Sequence, residues 1–149
     1  MSGNKSLNIV LDIGKTNVKL IFFNKNNKVV KSYNTKQKPS KKFGIKVLNS
    51  AEIYNWTMQK IKSMEKKSRL DKFVCTAHAC SIALIDHEDQ ELVACTDYEF
   101  PYHKYIKEYQ KIVPSFTESY TPLLENGLNI GIQLYYLNQK NPDLIKKTK

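Results

Sequence analysis

Apolar positions cluster first at residues 7–13 and again at 18–23, with Gly14-Lys15-Thr16-Asn17 between them. Two apolar runs around a short Gly-containing turn predict a β-hairpin. Asn24 to Asn27 form another turn cluster, and residues 29–35 continue as a third antiparallel strand. A three-stranded antiparallel meander is therefore expected to open the fold. Residues 36–49 hold Pro39, Gly44 and five lysines and read as a solvated loop. The period then changes. Ile53, Trp56, Lys60, Ile61 and Met64 recur every three to four residues, which predicts a helix over 51–68 with Ser50 as its N-cap.

Residues 72–76 read as a short apolar strand, followed by Ala77-His78-Ala79-Cys80 and a further strand over 81–85. The polar turn at 86–90 suggests that 91–96 returns as the second arm of a hairpin. Tyr105, Ile106, Tyr109, Ile112 and Val113 have helical spacing, closed by Pro114. Residues 115–126, rich in Ser, Thr and Pro, read as a loop, and 128–139 as a last helix stopped near Asn141-Pro142. The class is α/β, a mixed sheet flanked by helices. Trp56, Tyr105 and Tyr109 lie on helical stripes and read as packing. Gln133 fits a surface position as well as an inner one.

Composition narrows the choice of class. With 149 residues, 41% hydrophobic and 26% charged, the chain has ordinary globular make-up, which excludes a disordered tail, a collagen-like repeat and a large multidomain enzyme. Apolar runs stay well short of the ~18 residues of a membrane helix, and no signal-peptide core follows Met1, so a cytoplasmic protein without a membrane partner is expected. Cys75, Cys80 and Cys95 give an odd count without CxxC spacing, as reduced thiols would. Together with His78 they fit no zinc-finger spacing, and strand alternation sets Cys75 opposite His78 and Cys80; no structural metal is expected. The net charge of +10 suggests an anionic partner, yet 23 of the 24 basic residues are lysine rather than the arginine that reads phosphate and bases in forks. It is also uneven: residues 1–75 carry 17 basic and 4 acidic groups, residues 76–149 carry 7 and 10. Any nucleic-acid reading therefore rests on the first half.

The sharpest chemical signal is Asp12-Ile13-Gly14-Lys15-Thr16-Asn17-Val18-Lys19. An aspartate at the end of a strand can hold Mg2+ directly or through water, and a small turn beside it lets backbone N–H groups approach a phosphate. Thr16 and Asn17 add side-chain donors, and Lys15 or Lys19 offers charge.

Here the sequence resembles the N-terminal domain of the FGGY carbohydrate kinases, within the superfamily of actin-like ATPases, where strand, Asp-x-Gly-x-Thr turn and strand form the first phosphate loop. The likeness continues in family order through Thr76-Ala77-His78-Ala79-Cys80-Ser81, where the family contacts its sugar, through Thr96-Asp97-Tyr98-Glu99, and through Gly127-Leu128-Asn129-Ile130-Gly131-Ile132-Gln133-Leu134 with Asn141-Pro142-Asp143. It is nearest the rhamnulose, fuculose and xylulose kinase branch. The resemblance implies a ribonuclease H-like N-terminal subdomain, ATP and Mg2+ as cofactors, and a small-molecule sugar as substrate. It places Asp12, Gly14, Lys15, Thr16 and Asn17 at the ATP phosphates and metal, and His78, Asp97 and Tyr98 at the sugar. Ala79 stands where the family commonly has glycine, a loss of backbone freedom.

Residues 1–149 would then be a partial kinase N-terminal domain, incomplete and inactive alone, with the C-terminal domain absent and the general base expected beyond the end of the chain. The missing part would be encoded separately or lost. Two alternatives belong to other classes: a ribonuclease H-like nuclease or basic nucleic-acid-binding module, with Glu52 as a second metal carboxylate beside Asp12, and a non-catalytic remnant that binds a partner through the surface left open.

Overall fold

Alternation and helical period set the elements. The computed structural model describes residues 6–149. In chain order they form β1 (Ser6–Ile13), β2 (Asn17–Phe23), β3 (Val29–Lys36), β4 (Ser40–Lys42), β5 (Ile45–Val47), α1 (Ser50–Glu65) and β6 (Arg69–Ala77). Then come β7 (Leu84–Ile85), β8 (Glu91–Val93), α2 (His103–Gln110), α3 (Phe116–Ser119), α4 (Ile130–Lys140) and α5 (Pro142–Lys147). No helix among the described residues is long and apolar enough to cross a membrane. The chain divides into two compact units: one runs to Lys38 and resumes over Asn49–His78, the other joins Pro39–Leu48 to Ala79–Lys149.

The first unit is a four-stranded mixed sheet of order β3-β2-β1-β6. β1 pairs antiparallel with β2, and β2 with β3, while β1 and β6 run parallel. A parallel pair needs a crossover, and α1 supplies it. Leu7, Ile9 and Leu11 of β1 are buried on the same face as Val18, Leu20 and Phe22 of β2. α1 lies on this face. Its Met64 sulfur accepts a weak hydrogen bond from the Tyr33 hydroxyl, and Tyr33 meets Phe22 edge to face at 6.1 Å. The buried stripe of α1 is Ile53, Thr57 and Met64. Burying Ile53 and Met64 contributes on the order of 1.5–3 kcal/mol each. The helix cap is Asn49, one residue before the expected Ser50, because the Asn49 side chain accepts from the Glu52 N–H at 3.2 Å. α1 ends at Glu65, three residues short of the expected end. β6 is longer than the expected 72–76, and beyond Leu70 its residues are exposed.

The second unit corrects the reading of residues 36–49 as loop. Residues 40–47 are a hairpin whose turn puts Phe43 and Gly44 at φ 50° and 84°, and whose Ile45 and Val47 are fully buried. The abundant lysines masked an apolar pair at strand spacing. Around that pair gather Leu84, Val93, Ala94, Tyr102, Ile132, Tyr136, Leu137 and Leu144. The Tyr136 ring touches those of Phe100, Tyr102 and Tyr105 at centroid distances of 5.0 to 5.4 Å, and its hydroxyl donates to the Phe43 carbonyl at 2.7 Å. The strands expected over 81–85 and 91–96 shrink to β7 and β8. The helix expected to reach Val113 stops at Gln110, and α4 starts two residues later than expected. In the expected loop 115–126, Ser115 and Glu118 form a reciprocal capping box that nucleates the short α3. α4 stops before Pro142 as expected. Pro142 then opens α5, since proline at N1 lacks only an N–H that no helix carbonyl would have accepted.

Burial, reinforced by Asp97 and Tyr136, holds the Tyr102 phenol well above its ordinary range. A phenol whose pKa is raised by folding stabilises the fold below the unfolded value of ~10 and ceases to do so as pH rises through the folded value. Thermal melts are therefore expected to fall as pH climbs above about 10, and to fall less steeply in Tyr102→Phe.

Candidate functional site

Strand register builds the first group of polar side chains. Asp12 is opposite Lys19, and Lys19 is opposite Asn34, so the three form a row across β1, β2 and β3 on the face away from α1. The turn that ends β1 lies beside them. The Gly14 N–H donates to the Asn17 carbonyl at 2.9 Å, and a Cβ on Gly14 would stand 3.1 Å from that oxygen, tighter than an ordinary contact. Gln37 ties the same turn from the end of β3: its backbone N–H donates to the Thr16 carbonyl at 2.8 Å and its side-chain amide to the Gly14 carbonyl at 3.0 Å. Asp12, Gly14, Thr16, Asn17, Lys19 and Asn34 line an open cleft of about 540 Å³. Lys15 is half-buried and does not line it.

Among the described residues, Asp12 is the one carboxylate of this cleft, accompanied by an ammonium group, a hydroxyl and two amides. That donor set fits a phosphate ester that brings its own divalent cation: a hard cation takes one carboxylate oxygen beside phosphate oxygens, while Lys19, Thr16, Asn17 and Asn34 can contact the rest. It does not fit a two-metal nuclease, which needs several carboxylates around one point. Glu52 instead pairs with Lys38 at 2.8 Å and lines a separate small cavity with Trp56. No three of the His, Cys, Asp and Glu side chains gather at one point among the described residues. The basic stretch 36–46 is partly engaged, through Lys38 with Glu52, Lys42 with the Leu92 carbonyl, and the buried Ile45. The nuclease and nucleic-acid alternatives are not favoured.

His78 follows β6, whose Thr76 and Ala77 are register partners of Asp12 and Ile13. Its backbone N–H donates to the Ile13 carbonyl at 3.0 Å, and Nδ1 lies 3.2 Å from the same oxygen, which a protonated Nδ1 serves as donor. The imidazole is thereby fixed at the Asp12 end of the sheet.

Asp97 and Tyr98 belong to the second unit, where a buried amide holds their loop. Gln133 is fully buried. Its carbonyl accepts from the Thr96 hydroxyl, and its NH2 donates to the Cys80 carbonyl at 2.7 Å and to the Gly127 carbonyl. Next in the chain, the Asp97 N–H donates to the Lys46 carbonyl at 3.0 Å, and the Asp97 carboxylate accepts from the Glu99 N–H at 2.9 Å. The Gly127 N–H donates to the Tyr98 carbonyl at 2.8 Å, an approach that needs glycine: a Cβ there would lie 2.6 Å from the Tyr102 ring. Left-handed backbone occurs at Cys80, at φ 60°, and not at Ala79, where the sequence pointed to lost freedom. The cysteines are unpaired among the described residues, and burial raises the Cys95 thiol above its ordinary value.

The expected phosphate set thus shares one cleft apart from Lys15, His78 sits at the same end of that sheet, and Asp97 and Tyr98 stand together in the second unit. Sequence reasoning missed Asn34, Gln37 and the inward placement of Gln133. Hairpin register counted from the Gly14 turn would have found Asn34. Nothing local marks Gln37, whose partners are backbone groups brought in by folding, or Gln133, whose partners are the Thr96 hydroxyl and two backbone carbonyls.

No protein-family model matches the chain, and no curated protein matches it. Among solved structures it is similar to a carbohydrate kinase from Novosphingobium aromaticivorans, with TM-score 0.82 and 24% identity over 100% of this chain and 31% of that one. It is similar to a ligand-bound xylulose kinase from Lactobacillus acidophilus, with TM-score 0.76 and 17% identity over 96% of this chain and 30% of that one. It is also similar to Plasmodium falciparum glycerol kinase with ADP, with TM-score 0.70 and 18% identity over 95% of this chain and 31% of that one. The mixed α/β fold expected from the resemblance is borne out, and the chain spans about 31% of the length of the first of these structures.

Replacing Gln133 with alanine leaves the Thr96 hydroxyl and the Cys80 and Gly127 carbonyls without their amide partner. At roughly 1–3 kcal/mol for each buried group left unsatisfied, the variant is expected to lose about 3 kcal/mol in urea denaturation, with faster hydrogen exchange at Thr96 and Asp97. Unchanged exchange there would show that the amide does not hold the loop.

Proposed function

We propose that the chain is the N-terminal, phosphate-binding and sugar-contacting part of an FGGY-type carbohydrate kinase with a ribonuclease H-like core. The observation that carries this reading is the row Asp12, Lys19 and Asn34 beside the Gly14 turn, on a fold similar to about 30% of several sugar-kinase chains. Those relatives act on small sugars or polyols by name, and one of the structures contains ADP. A sugar substrate and ATP follow for this chain as part of the proposal, with cytoplasmic location in keeping with its unpaired thiols.

In this reading Asp12 holds Mg2+ on the nucleotide, and the cation, when bound, offsets phosphate charge. The turn around Gly14, with Thr16 and Asn17, presents donors to the phosphate oxygens, Lys19 adds a positive charge at short range, and Lys15, which the resemblance also placed at the phosphates, lies outside the cleft lining. A side chain at Gly14 would press on the Asn17 carbonyl that closes the turn, and that carbonyl would have to give by a few tenths of an ångström. Gln37 keeps the turn in place when phosphate leaves. The resemblance to the kinase family assigns His78 of the first unit, and Asp97 and Tyr98 of the second, as hydrogen-bonding groups that orient sugar hydroxyls. Orientation of this kind supplies much of the rate in phosphoryl transfer, because little covalent chemistry is asked of the protein. The transferred hydroxyl must lose a proton, and Asp12, committed to the cation, does not take it. The base, the adenine pocket and the second phosphate loop belong to the remainder of the kinase, so the chain alone binds weakly and does not turn over.

Titrating the isotope-labelled chain with MgADP is expected to shift the amides of residues 12–19 and Asn34, with a dissociation constant on the order of 1 mM. Asp12→Asn should abolish the Mg2+-dependent part of the shift while leaving the melting temperature unchanged, since the carboxylate is exposed. Shifts spread over the lysines and indifferent to Mg2+ and to Asp12→Asn would overturn the assignment.

A further inference from the structure

Glu52 does not line the phosphate cleft, yet it stands where the chain of the first unit leaves and comes back. That unit runs to Lys38 and resumes at Asn49, and residues 39–48 belong to the second unit, where Ile45 and Val47 are buried. The Glu52 carboxylate holds both of these ends. One oxygen accepts from the Lys38 ammonium at 2.8 Å, and the other accepts from the Asn49 side-chain amide at 3.3 Å. The Asn49 side-chain oxygen already caps α1 by accepting from the Glu52 N–H. The contact of its NH2 with Glu52 is therefore additional to the cap.

Lys38 follows Gln37, the residue that ties the Gly14 turn. Gln37 donates its backbone N–H to the Thr16 carbonyl and its side-chain amide to the Gly14 carbonyl. Packing alone does not fix Gln37, because with Lys38, Asn49, Glu52 and Trp56 it lines a cavity of about 30 Å³ and lacks close neighbours on that side. Its position depends on bonds instead. Those bonds run from Gly14 and Thr16 to Gln37, and from the next residue, Lys38, through Glu52 to the head of α1.

We propose that Glu52 is a positioning residue for the phosphate cleft: by clasping Lys38 to Asn49 it holds the end of β3, and through Gln37 it keeps the Gly14 turn in the shape that presents donors to phosphate. This role rests on the reading of the cleft as a phosphate site, whereas the hold on the turn is independent of it. The Lys38 and Glu52 side chains are 73% and 43% exposed, and an ion pair in that setting adds little to global stability. A clasp of this strength suits a local role. It biases the position of one turn without being needed for folding.

The test reads amide hydrogen exchange and MgADP binding on the full chain. Glu52→Ala is expected to speed exchange at Gly14 and Gln37 about threefold and to weaken MgADP binding by a similar factor, with Ile9 and Val10 in the middle of β1 unchanged. Gln37→Ala should speed exchange at Gly14 about fivefold, and adding Glu52→Ala to it should have no further effect there, since the clasp acts through Gln37. Lys38→Met removes the ion pair and leaves the α1 cap intact, so it should reproduce Glu52→Ala even if that variant folds poorly. Glu65→Ala, at the far end of the same helix, is the control and should leave the turn unchanged. Exchange at Gly14 that ignores both Glu52→Ala and Lys38→Met overturns the proposal. So do effects that simply add in the double variant, effects of equal size at Ile9 and Val10, and a turn that loosens while MgADP affinity stays the same. Failure of the phosphate reading looks different: MgADP then shifts no amide of residues 12–19 in the unaltered chain, while the turn still responds to Glu52→Ala.

Discussion

Everything in the first unit depends on the register of β1. This strand pairs with β2 on one side and β6 on the other, and its odd-numbered residues Leu7, Ile9 and Leu11 go under α1. A slip of one residue would turn those side chains to solvent and point the Asp12 carboxylate into the apolar layer. Burying an unpaired carboxylate is costly enough to exclude that arrangement. The same hydrophobic alternation that stabilises the sheet therefore aims Asp12 outward, beside Lys19 and Asn34. Site geometry and core packing are a single constraint here.

The second unit relies on a different device. Its apolar core is small and rich in tyrosine, and the loop with Asp97 and Tyr98 is fastened by Gln133 from the first turn of α4. A single amide bonds to Cys80 and Thr96, both distant in sequence, and to Gly127 just ahead of its own helix. Such a clamp works only when complete, because each group left without a partner in the interior costs more than the bond contributed. It also supports the left-handed backbone at Cys80, whose carbonyl it holds. The aromatic rings around Tyr136 fix α4, and with it the clamp.

The exposed strand β6 and the lysine-rich first half belong together. The charge that first suggests nucleic acid is concentrated in residues 1–75, most of which form the unit whose β6 strand exposes Phe73 and Val74. Charge of one sign keeps copies of such a unit apart in solution. Within the first unit the polar row of Asp12, Lys19 and Asn34 shares its sheet face with the half-buried Val10, Ile21 and Phe23.

The sequence by itself determined the elements with strong local signals. The first three strands, α1 and α4 were legible within a few residues, because alternation and helical period are properties of neighbours in the chain. The Asp12 to Asn17 turn was legible for the same reason. The β4–β5 hairpin was not, since two apolar residues among lysines carry little local signal until a core forms around Ile45 and Val47. Only tertiary structure decided that Gln133 faces inward, that Gln37 holds the Gly14 turn, that Asn34 joins Asp12 and Lys19, and that β6 lies at an open edge. Each of these depends on hydrogen bonds or register between segments far apart in sequence, and such pairings exist only once the chain has folded.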